Sequence, residues 1–548
     1  MKKTMGLFVA MMLIAAVLWT NGCVRTSVGA KMKQKLVVVV VVDQMRADYL
    51  NRYAGLFTDG FARLLKEGKL YTNAHHDHAL TVTAAGHATI STGSFPSHHG
   101  IVSNDWYERT EKKKVYCSDD TSAKILGYPD MAGRSPARML KPALGDWLKA
   151  ASPQSKVFAI SRKDRPAIMM GGKHPDGVYW YNSRNGAFVT SEYYVKTYPA
   201  WVDSFNALKL ADRYLESGWT KSADEEAYFV SREDEFMAEF DGIHTTFPHE
   251  FPSEAGKPNR AYYGALTTSP FADELVFEFA RAAVTNEGLG RDGYPDLLFV
   301  GCSAADAIGH AFGPLSQEAQ DHFMRLDKYL GDFMRFLDET VGERNYVLVL
   351  TGDHGGLPLP EDLKRRGFDA KRVSFRDAMS AAGKAAKRVA KQFGVQGKLI
   401  LTFANGIVLN EEAIQQSGAK LADVEAALAD ALKKLPYIED VFTRSELMQT
   451  GTDNDRPFLE NFRRSFHPER SPNLALRLKP YYLLTSWAQG TSHGSPYRYD
   501  THVPLVFYGK RIQHGTVADF VRTVDIAPTL AGWLGIEPPA DVGGKVLF

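Results

Sequence analysis

Residues 36–43 have the sequence Leu-Val-Val-Val-Val-Val-Val-Asp, and this stretch decides the fold class. A continuous run of aliphatic, mostly β-branched residues is typical of a strand that is covered on both faces, as in a parallel sheet. A residue directly after such a strand lies at its carboxyl end, where open α/β sheets bind their ligands. Leu36–Val42 is therefore expected to be a buried strand, and Asp43 is the first candidate for a functional site.

Four further apolar runs predict buried parallel strands, at residues 157–160, 297–300, 346–350 and 503–508. Apolar stripes at helical spacing lie between them, at Phe57, Phe61, Leu64 and Leu65 and at Phe323, Leu326, Leu330, Phe333 and Leu337. Strands that alternate with amphipathic helices predict an α/β fold with a mostly parallel central sheet and helices on both faces.

The strand signals are unevenly spaced along the chain. A compact block covers residues 35–104, the pattern resumes strongly at about 272–355, and a last α/β unit ends the chain. We therefore expect one domain over residues 31–548, interrupted by long insertions at about 105–270 and 356–490. Helical segments are predicted within the second insertion, at residues 376–393 and 421–435.

Composition excludes several classes of protein. Among 548 residues, 44% are hydrophobic and 24% are charged, which is ordinary for a soluble globular protein and excludes a disordered or multi-span membrane chain. The net charge of +1 gives no reason to expect a nucleic-acid partner. Cys117 and Cys302 would lie in an oxidising compartment, where a bridge and two buried free thiols are both open and free thiols are slightly favoured.

The N-terminus predicts export. Lys2 and Lys3 precede an apolar stretch without charge at residues 6–20. Its fifteen residues fit the pattern of a secretory signal peptide and are too short for a membrane span of about 20 residues. We expect a signal peptide over residues 1–30 and a periplasmic protein. Cleavage near Ala30 and lipidation at Cys23 remain alternatives, and a lipid on Cys23 would be the chain's sole contact with a membrane.

Polar side chains follow four of the predicted strands. They are Asp43, Lys163 with Arg165, Asp306 with His310, and Asp353 with His354. Each alone has an ordinary explanation, since an Asp after a strand commonly caps the next helix. Because the carboxyl ends of parallel strands meet at one edge of the sheet, the four together indicate a ligand site.

Carboxylates and imidazoles are the ligands expected for Zn²⁺ in a catalytic site. Asp306 and His310 are four residues apart and would face the same way on a helix. Asp353 and His354 are adjacent, so at a strand-to-loop turn they could bind one ion together or point at two. The six candidate ligands, enough for two sites of three, are Asp43, Asp306, His310, Asp353, His354 and His493. Two metals about 3.5–4 Å apart can hold both the attacking and the leaving oxygen of a phosphoryl transfer.

A nucleophile is available at the start of a predicted helix. Thr83 lies in the segment Thr-Val-Thr-Ala-Ala-Gly-His, residues 81–87, and can be explained either as a simple helix cap or as a nucleophile. In the second case metal binding would favour its alkoxide, and N–H groups at the helix start would hold a phosphoryl oxygen.

With these residues in view, the chain resembles the alkaline phosphatase superfamily, and most closely the single-chain bacterial alkaline phosphatases of the PafA type, which have a threonine nucleophile. The resemblance runs from about residue 35 to the end. The matching stretches are residues 41–50, 81–87, 100–107, 115–117, 163–165, 306–310, 353–355 and 490–493. Residues 84–87, Ala-Ala-Gly-His, depart from the usual Gly-Pro-Gly-His, and here His87 is expected to brace the nucleophile turn.

The resemblance implies a role for each matching residue. One zinc would be held by Asp306, His310 and His493, and the other by Asp43, Asp353, His354 and the Thr83 oxygen. Thr83 would attack phosphorus to form a phosphothreonine. The phosphoryl oxygens would be contacted by Asn104, Lys163 and Arg165.

The resemblance further implies a substrate class. The Lys-x-Arg element at residues 163–165 favours small-molecule phosphomonoesters, because a monoester presents an additional charged oxygen for which Lys and Arg are natural partners. A phosphodiesterase or nucleotide pyrophosphatase of the same superfamily is the alternative, and an exported non-catalytic metal- or phosphate-binding protein is a third hypothesis. No Cys-x-Pro-x-Arg run is present, which argues against a sulfatase. We expect a monomer.

Overall fold

The computed structural model of the protein describes residues 34–449 and 455–548. The predicted signal peptide and Cys23 lie outside the described residues. Within the two described ranges, no helix has both the length and the apolar character needed to cross a membrane. Of the three cysteines, Cys117 and Cys302 are described, and both are buried and free, so the prediction of two free thiols is confirmed for this pair.

The described strands, in chain order, are β1 Leu36–Val42, β2 Lys69–His75, β3 Asp105–Glu108, β4 Lys113–Tyr116, β5 Val157–Ser161, β6 Gly177–Tyr181, β7 Phe188–Val189, β8 Asp296–Cys302, β9 Tyr346–Gly352, β10 Lys371–Ser374, β11 Ile400–Phe403, β12 Ile407–Leu409, β13 Ile438–Thr443, β14 Leu474–Leu478, β15 Tyr482–Thr485, β16 His502–Tyr508, β17 Gly515–Val517 and β18 Val521–Arg522. All five strands predicted from apolar runs are present, each within two residues of the predicted bounds at either end.

The described α-helices are Tyr49–Arg52, Gly60–Glu67, Thr83–Thr92, Pro96–His99, Leu144–Ala151, Asp164–Gly171, Ala200–Ala207, Arg260–Ala265, Phe271–Glu287, Ala304–Phe312, Gln317–Thr340, Pro360–Arg365, Phe375–Gln392, Glu411–Gln416, Leu421–Leu432, Arg444–Leu447, Leu459–Ser465, Arg498–Thr501 and Ile526–Leu534. Short 3₁₀ turns occur at Leu210–Tyr214, Glu225–Val230, Leu266–Thr268 and Thr523–Asp525. The stripe from Phe323 to Leu337 lies on the longest of these helices, as its spacing predicts.

A central sheet of ten strands organises the molecule, with strand order β17-β2-β16-β9-β1-β8-β5-β6-β7 and β18 paired to β2. β1 lies in its interior and pairs in parallel with β8 on one side and β9 on the other. All seven residues of β1 are buried. The α/β fold with a mostly parallel sheet is therefore confirmed, and Leu36–Val42 is its central strand.

Alternate side chains of β1 pack into different apolar layers. The even-numbered residues of the strand join a layer that contains Phe277 and Phe333, whereas the odd-numbered valines join a layer on the opposite face that contains Ile90 and Leu530. Successive side chains of a strand point to opposite faces, so only an unbroken apolar run can fill both layers. Full burial of each valine contributes about 1.5–3 kcal/mol, which explains why this run fixes the centre of the fold.

The direction predicted for one strand is wrong. The run at residues 503–508 was expected to be parallel, but β16 pairs antiparallel with both β9 and β2. A strand buried in the sheet interior is apolar on both faces whichever way it runs, so periodicity carries no information about direction.

The first expected insertion needs a correction. Within residues 105–270, strands β5, β6 and β7 belong to the central sheet, and only the segments around them lie outside it. Aromatic residues such as those in Gly177–Tyr181 conceal the strand period that sequence analysis depends on. Residues 356–490, by contrast, contribute no strand to the central sheet where described, and form two smaller sheets, β10-β15 and β11-β12-β14-β13.

Candidate active site

The neighbouring strands β8, β1 and β9 have their carboxyl ends side by side. In the sheet register Val42 lies between Cys302 of β8 and Gly352 of β9. Asp43 and Asp353 therefore leave the sheet side by side. After β8 the chain turns into the helix Ala304–Phe312, which carries Asp306 and His310.

A first group of donor atoms is formed by the residues that follow β1 and β9. The Nε2 of His354 lies 3.3 Å from Oδ1 of Asp43 and 3.4 Å from Oδ2 of Asp353. All three side chains are fully buried. These are the three protein side chains that the family resemblance assigns to one metal, together with the Thr83 oxygen.

A second group is centred on Asp306. Its Oδ1 lies 3.2 Å from Nε2 of His310 and 3.5 Å from Nε2 of His493. The rings of His354 and His493 are stacked with their centroids 3.6 Å apart, so the two groups adjoin each other. Donor atoms of Asp306, His354 and His493 all lie within 4.8 Å of one another, whereas His310 is more peripheral, with a quarter of its side chain exposed.

The three histidines of these groups are oriented in the same way. The Nδ1 atoms of His310, His354 and His493 each lie at hydrogen-bonding distance from a backbone carbonyl, of Thr491 at 2.7 Å, of Gly355 at 2.8 Å and of Thr81 at 2.8 Å, respectively. A carbonyl oxygen only accepts, so each Nδ1 carries a proton. In its neutral form each ring then directs the lone pair of Nε2 into the site, as metal-ligating histidines do.

The residues present fit a pair of zinc ions. Three buried donor atoms make no hydrogen bond with any described residue: Oδ1 of Asp43, Oδ2 of Asp353 and Nε2 of His354. Two ligands that each lie 2.0–2.1 Å from a tetrahedral ion are themselves about 3.3 Å apart, close to the separations in both groups. A buried polar atom without a partner is costly, and a metal would satisfy all three.

Electrostatics within the site favour a bound cation. Burial and the charge of Asp306 raise the pKa of Asp43. The Lys163 ammonium and His354 outweigh both effects and hold this pKa below the ordinary value of 3.8. Burial, followed by the charge of Asp43, raises the pKa of Asp353. Burial lowers the pKa of His354, but Asp353 and Asp43 raise it to about 9. The two carboxylates therefore stabilise positive charge beside them, whether a proton or a metal ion supplies it.

Thr83 is the first residue of the helix Thr83–Thr92, and the capping position before it is occupied by Val82. The alternative that Thr83 merely caps the helix is therefore wrong. Its side-chain oxygen instead accepts a hydrogen bond of 3.4 Å from Nη2 of Arg165. Nδ1 of His87, one turn along, lies 2.9 Å from the Thr83 carbonyl oxygen and hydrogen-bonds to it, so His87 braces this turn as expected. The same Nδ1 lies 3.1 Å from Oδ2 of Asp353 but makes no hydrogen bond to it.

Arg165 is itself held in place by polar partners. Its Nη1 donates to the hydroxyl of Tyr116 at 3.4 Å, and this hydroxyl donates to Oδ1 of Asp164 at 2.7 Å. Nε of Arg134 donates to the other oxygen of Asp164 at 2.7 Å. The guanidinium therefore has a fixed direction towards Thr83. Tyr116 and Asp164 lie in stretches that match the alkaline phosphatase superfamily, but their residue types alone predict no role for them.

Asn104 and Lys163 complete the surroundings of Thr83. Oδ1 of Asn104 accepts a hydrogen bond of 2.9 Å from the backbone N–H of Ala84, at the start of the helix. Nζ of Lys163 lies 2.6 Å from Oδ2 of Asp43 and 2.5 Å from Oδ2 of Asp306. Lys163 thus bridges the carboxylates of the two donor groups.

Gln44 is a site residue that sequence analysis missed. Its backbone N–H donates to Oδ1 of Asp353 at 3.1 Å, and its Nε2 donates to Oδ1 of Asp306 at 2.8 Å. Gln44 adopts a left-handed conformation, with φ of 65°, which turns both groups into the site. Its position directly after Asp43 was the only available signal, because backbone strain of this kind cannot be read from residue type.

An apolar cavity of about 420 Å³ adjoins the site. His493 and Ser492 contribute to its wall, and most of the rest comes from residues 356–490, including Phe403, Phe466 and Tyr482. The second insertion therefore places apolar surface next to His493 of the second donor group.

This chain is similar to one protein family and to several alkaline phosphatases. A sequence model of the family described as type I phosphodiesterase / nucleotide pyrophosphatase matches residues 37–502. Alkaline phosphatase PhoV of Synechococcus elongatus is 34% identical over 94% of this chain and 92% of its own length. Alkaline phosphatase PafA of Elizabethkingia meningoseptica is 33% identical over 94% of both chains.

Solved structures agree with these relatives. The crystal structure of wild-type alkaline phosphatase PafA superposes with a TM-score of 0.87 at 32% identity, covering 95% of this chain and 99% of that one. Murine ectonucleotide pyrophosphatase / phosphodiesterase 5 superposes with a TM-score of 0.51 at 15% identity, covering 92% of this chain and 96% of that one, which shows a shared fold alone.

Proposed function

We infer the function of this chain from its family: it belongs to the type I phosphodiesterase / nucleotide pyrophosphatase family and is a PafA-type alkaline phosphatase, a phosphoric monoester hydrolase. From this premise we propose that it hydrolyses small phosphomonoesters through a covalent phosphothreonine on Thr83, with two zinc ions. Export to the periplasm, as a monomer without a nucleic-acid partner, is part of the same proposal and is based on the N-terminal sequence pattern and the ordinary charge balance.

The proposal is carried by one observation, the contact between the Arg165 guanidinium and the Thr83 hydroxyl. A guanidinium presents donors in a planar fork that matches two oxygens of a phosphoryl group. A phosphorus atom attacked by Thr83 would have its non-bridging oxygens within reach of this fork. A monoester leaves those oxygens charged, whereas a diester covers one of them with a second ester group.

Two donor groups support a two-zinc centre. Asp306, His310 and His493 would hold one ion, and Asp43, Asp353 and His354 the other, together with the oxygen of Thr83. Zinc in these positions supplies positive charge that favours the ionised Thr83 hydroxyl and polarises the phosphoryl and ester oxygens.

The proposed reaction has two displacements at phosphorus. In the first, Oγ1 of Thr83 forms a bond to phosphorus while the bond to the ester oxygen breaks, and the alcohol leaves. In the second, water attacks the phosphothreonine, inorganic phosphate leaves and Thr83 is restored. Splitting the hydrolysis into two displacements is the general advantage of a covalent nucleophile.

Three side chains would hold the phosphoryl oxygens during these steps. Arg165 donates from its fork, and Lys163 provides a compact positive charge between the two carboxylates that it bridges. The amide oxygen of Asn104 is already engaged by Ala84 N–H, which leaves the Asn104 amino group to donate. N–H groups at the start of the Thr83–Thr92 helix add a favourable dipole for an anion.

The decisive experiment compares kcat/KM for an aryl phosphate monoester with kcat/KM for the matching diester, on zinc-loaded protein. We expect a strong preference for the monoester. The family model is named for diesterases and pyrophosphatases, so a diester preference is the outcome that would replace this proposal with the alternative. It would leave the fold and the donor groups intact but remove the roles given to Asn104, Lys163 and Arg165.

A further inference from the structure

A second cluster of metal-ligand side chains lies in the segment that precedes the helix Arg260–Ala265, away from the six ligands discussed above. Asp241, His244 and His249 present one donor atom each, and these atoms all lie within 4.8 Å of one another. The segment has no helical or strand period, so sequence analysis had no signal for it.

The carboxylate of Asp241 is oriented by its own backbone. Its Oδ1 accepts hydrogen bonds from the N–H groups of Ile243 at 2.7 Å and His244 at 2.6 Å. Its Oδ2 is thereby turned towards two imidazoles, 3.4 Å from Nδ1 of His244 and 3.5 Å from Nδ1 of His249. Both distances are close to the separation of about 3.3 Å expected between two ligands of a tetrahedral zinc ion.

His249 provides an independent observation. Its side chain is only 2% exposed, and its Nδ1 makes no hydrogen bond with any described residue although it points into the cluster. Its other nitrogen, Nε2, lies 3.2 Å from Oε1 of the buried Glu318. A carboxylate that accepts from the far nitrogen of an imidazole is the usual support of a metal-ligating histidine, because it fixes the ring and leaves the near nitrogen as a ligand.

We propose that Asp241, His244 and His249 bind a third metal ion, a zinc ion or another divalent ion that prefers nitrogen ligands, outside the catalytic centre. Two imidazoles and one carboxylate suit such an ion and are poor ligands for Ca²⁺ or Mg²⁺, which favour an all-oxygen shell. Side-chain exposures of 13% for Asp241 and 20% for His244 leave room for water in the remaining position and give the ion a path of entry.

The position of the cluster gives the ion a structural task. Phe240 N–H donates to the Ala311 carbonyl at 3.1 Å, at the end of the helix that carries Asp306 and His310. Gly490 N–H, close to His493 in the chain, donates to the Ala238 carbonyl at 2.7 Å. The ring of His249 packs against Phe312, with centroids 5.1 Å apart. An ion here would fasten the 236–249 segment onto the elements that present one catalytic donor group.

A metal-free explanation competes with this proposal. Burial lowers the pKa of His249, but the adjacent carboxylates of Asp241 and Glu318 raise it above its ordinary value. The ring could therefore be an imidazolium paired with two carboxylates. That arrangement involves His249, Asp241 and Glu318 but does not require His244. Removing the His244 imidazole therefore distinguishes the two explanations.

The test measures zinc per chain by plasma mass spectrometry in the full-length wild type and in His244→Gln, each equilibrated with zinc and then desalted. We expect the variant to hold about one equivalent fewer than the wild type, whatever the absolute number at the catalytic centre. The matched control is His514→Gln, at an exposed histidine outside the cluster, which should lose no zinc. Equal zinc content in the wild type and His244→Gln would overturn the proposal.

A measurement on the wild type alone covers the case in which His244→Gln fails to fold. Anomalous scattering from zinc-equilibrated crystals should show a peak about 2.0–2.2 Å from Oδ2 of Asp241. Anomalous density confined to the catalytic groups would mean that His249 is held by its carboxylate partners as an imidazolium, and the third site would be rejected.

Discussion

Nη2 of Arg165 lies 3.4 Å from the side-chain oxygen of Thr83, although the two residues are 82 positions apart in the chain. The contact joins the helix that begins after β5 to the helix that begins at Thr83. It places a fixed positive fork beside the proposed nucleophile, with Tyr116 holding the opposite side of the guanidinium.

Arg165→Ala should therefore harm monoester turnover far more than diester turnover. Removing one preorganised donor from a transition-state oxygen costs about 10²–10³-fold in rate. We expect a loss of this size in kcat/KM for an aryl monoester and a much smaller loss for the matching diester. Tyr116→Phe is a graded control, because it removes one partner of the guanidinium and retains the guanidinium itself. Equal losses on both substrates in Arg165→Ala would mean that Arg165 does not contact the additional monoester oxygen.

Thr83→Ala should abolish the covalent route while retaining zinc. The six protein ligands of the proposed metal centre are unchanged, so zinc content should equal that of the wild type, while activity should fall by about 10³-fold or more. Thr83→Ser retains a hydroxyl at the same position and should keep a substantial part of the activity. A near wild-type rate in Thr83→Ala would remove Thr83 as the nucleophile.

Chelation should remove activity, and zinc should restore it. The donor set of three carboxylates and three imidazoles favours Zn²⁺ over hard cations. The measurement is the monoester rate after dialysis against a chelator and after titration with single metals. Restoration by manganese and not by zinc would indicate a mutase-like site in place of a two-zinc phosphatase.

The positions of the site residues could be predicted because the site follows from strand ends. An apolar run predicts each buried strand. Because β1 and β9 are parallel neighbours, the residues after Val42 and Gly352 lie at the same edge of the sheet. A sequence therefore identifies Asp43 and Asp353 as neighbours without any knowledge of side-chain geometry. The spacing of Asp306 and His310 on one helical turn follows from helix periodicity in the same way.

Other features have no one-dimensional signal. The direction of β16 is invisible to hydrophobicity, as is the left-handed backbone of Gln44 that turns its amide into the site. Asp241 and His249 are brought together by a segment without regular secondary structure, where spacing along the chain says nothing about distance in space. Such contacts are decided by tertiary packing and become visible only in the folded chain.

Buried neutral histidines should make the fold sensitive to acid. His99 is fully buried, its Nδ1 accepts from Ile101 N–H at 3.1 Å, and its Nε2 lies 3.1 Å from Oγ1 of Thr89. Burial, with a smaller contribution from His98, lowers the pKa of His99 from 6.5 to about 3. The unfolded chain protonates His99 below pH 6.5, whereas the folded chain protonates it only near pH 3. The free energy of unfolding is therefore unaffected by His99 above pH 6.5 and falls as the pH drops from 6.5 towards 3.

The measurement is urea unfolding of chelated protein at a series of pH values between 7 and about 4, the interval in which this proton linkage operates. Each such histidine adds up to about 1.4 kcal/mol of stability per pH unit to the slope. His99→Asn should reduce the slope by that amount, whereas His514→Gln, at an exposed side chain that does not contribute to the pKa of His99, should leave it unchanged. A slope that is the same in wild type and His99→Asn would mean that His99 is already protonated in the folded state.

Two helical glycines give a matched test of the packing beneath the site. A Cβ added at Gly86, in the helix that begins with Thr83, would lie 2.2 Å from the backbone oxygen of Asp353, whereas one added at Gly383 would meet nothing within 4 Å. Gly383→Ala should therefore stabilise the fold by about 0.5–1 kcal/mol through helix propensity. Gly86→Ala should destabilise it by about 1–3 kcal/mol, because the backbone of Asp353 has to move.

The same movement displaces a proposed metal ligand, so Gly86→Ala should also lose zinc affinity and monoester activity. If both variants gain stability and keep full activity, the close approach between the Thr83 helix and Asp353 is not what positions the nucleophile.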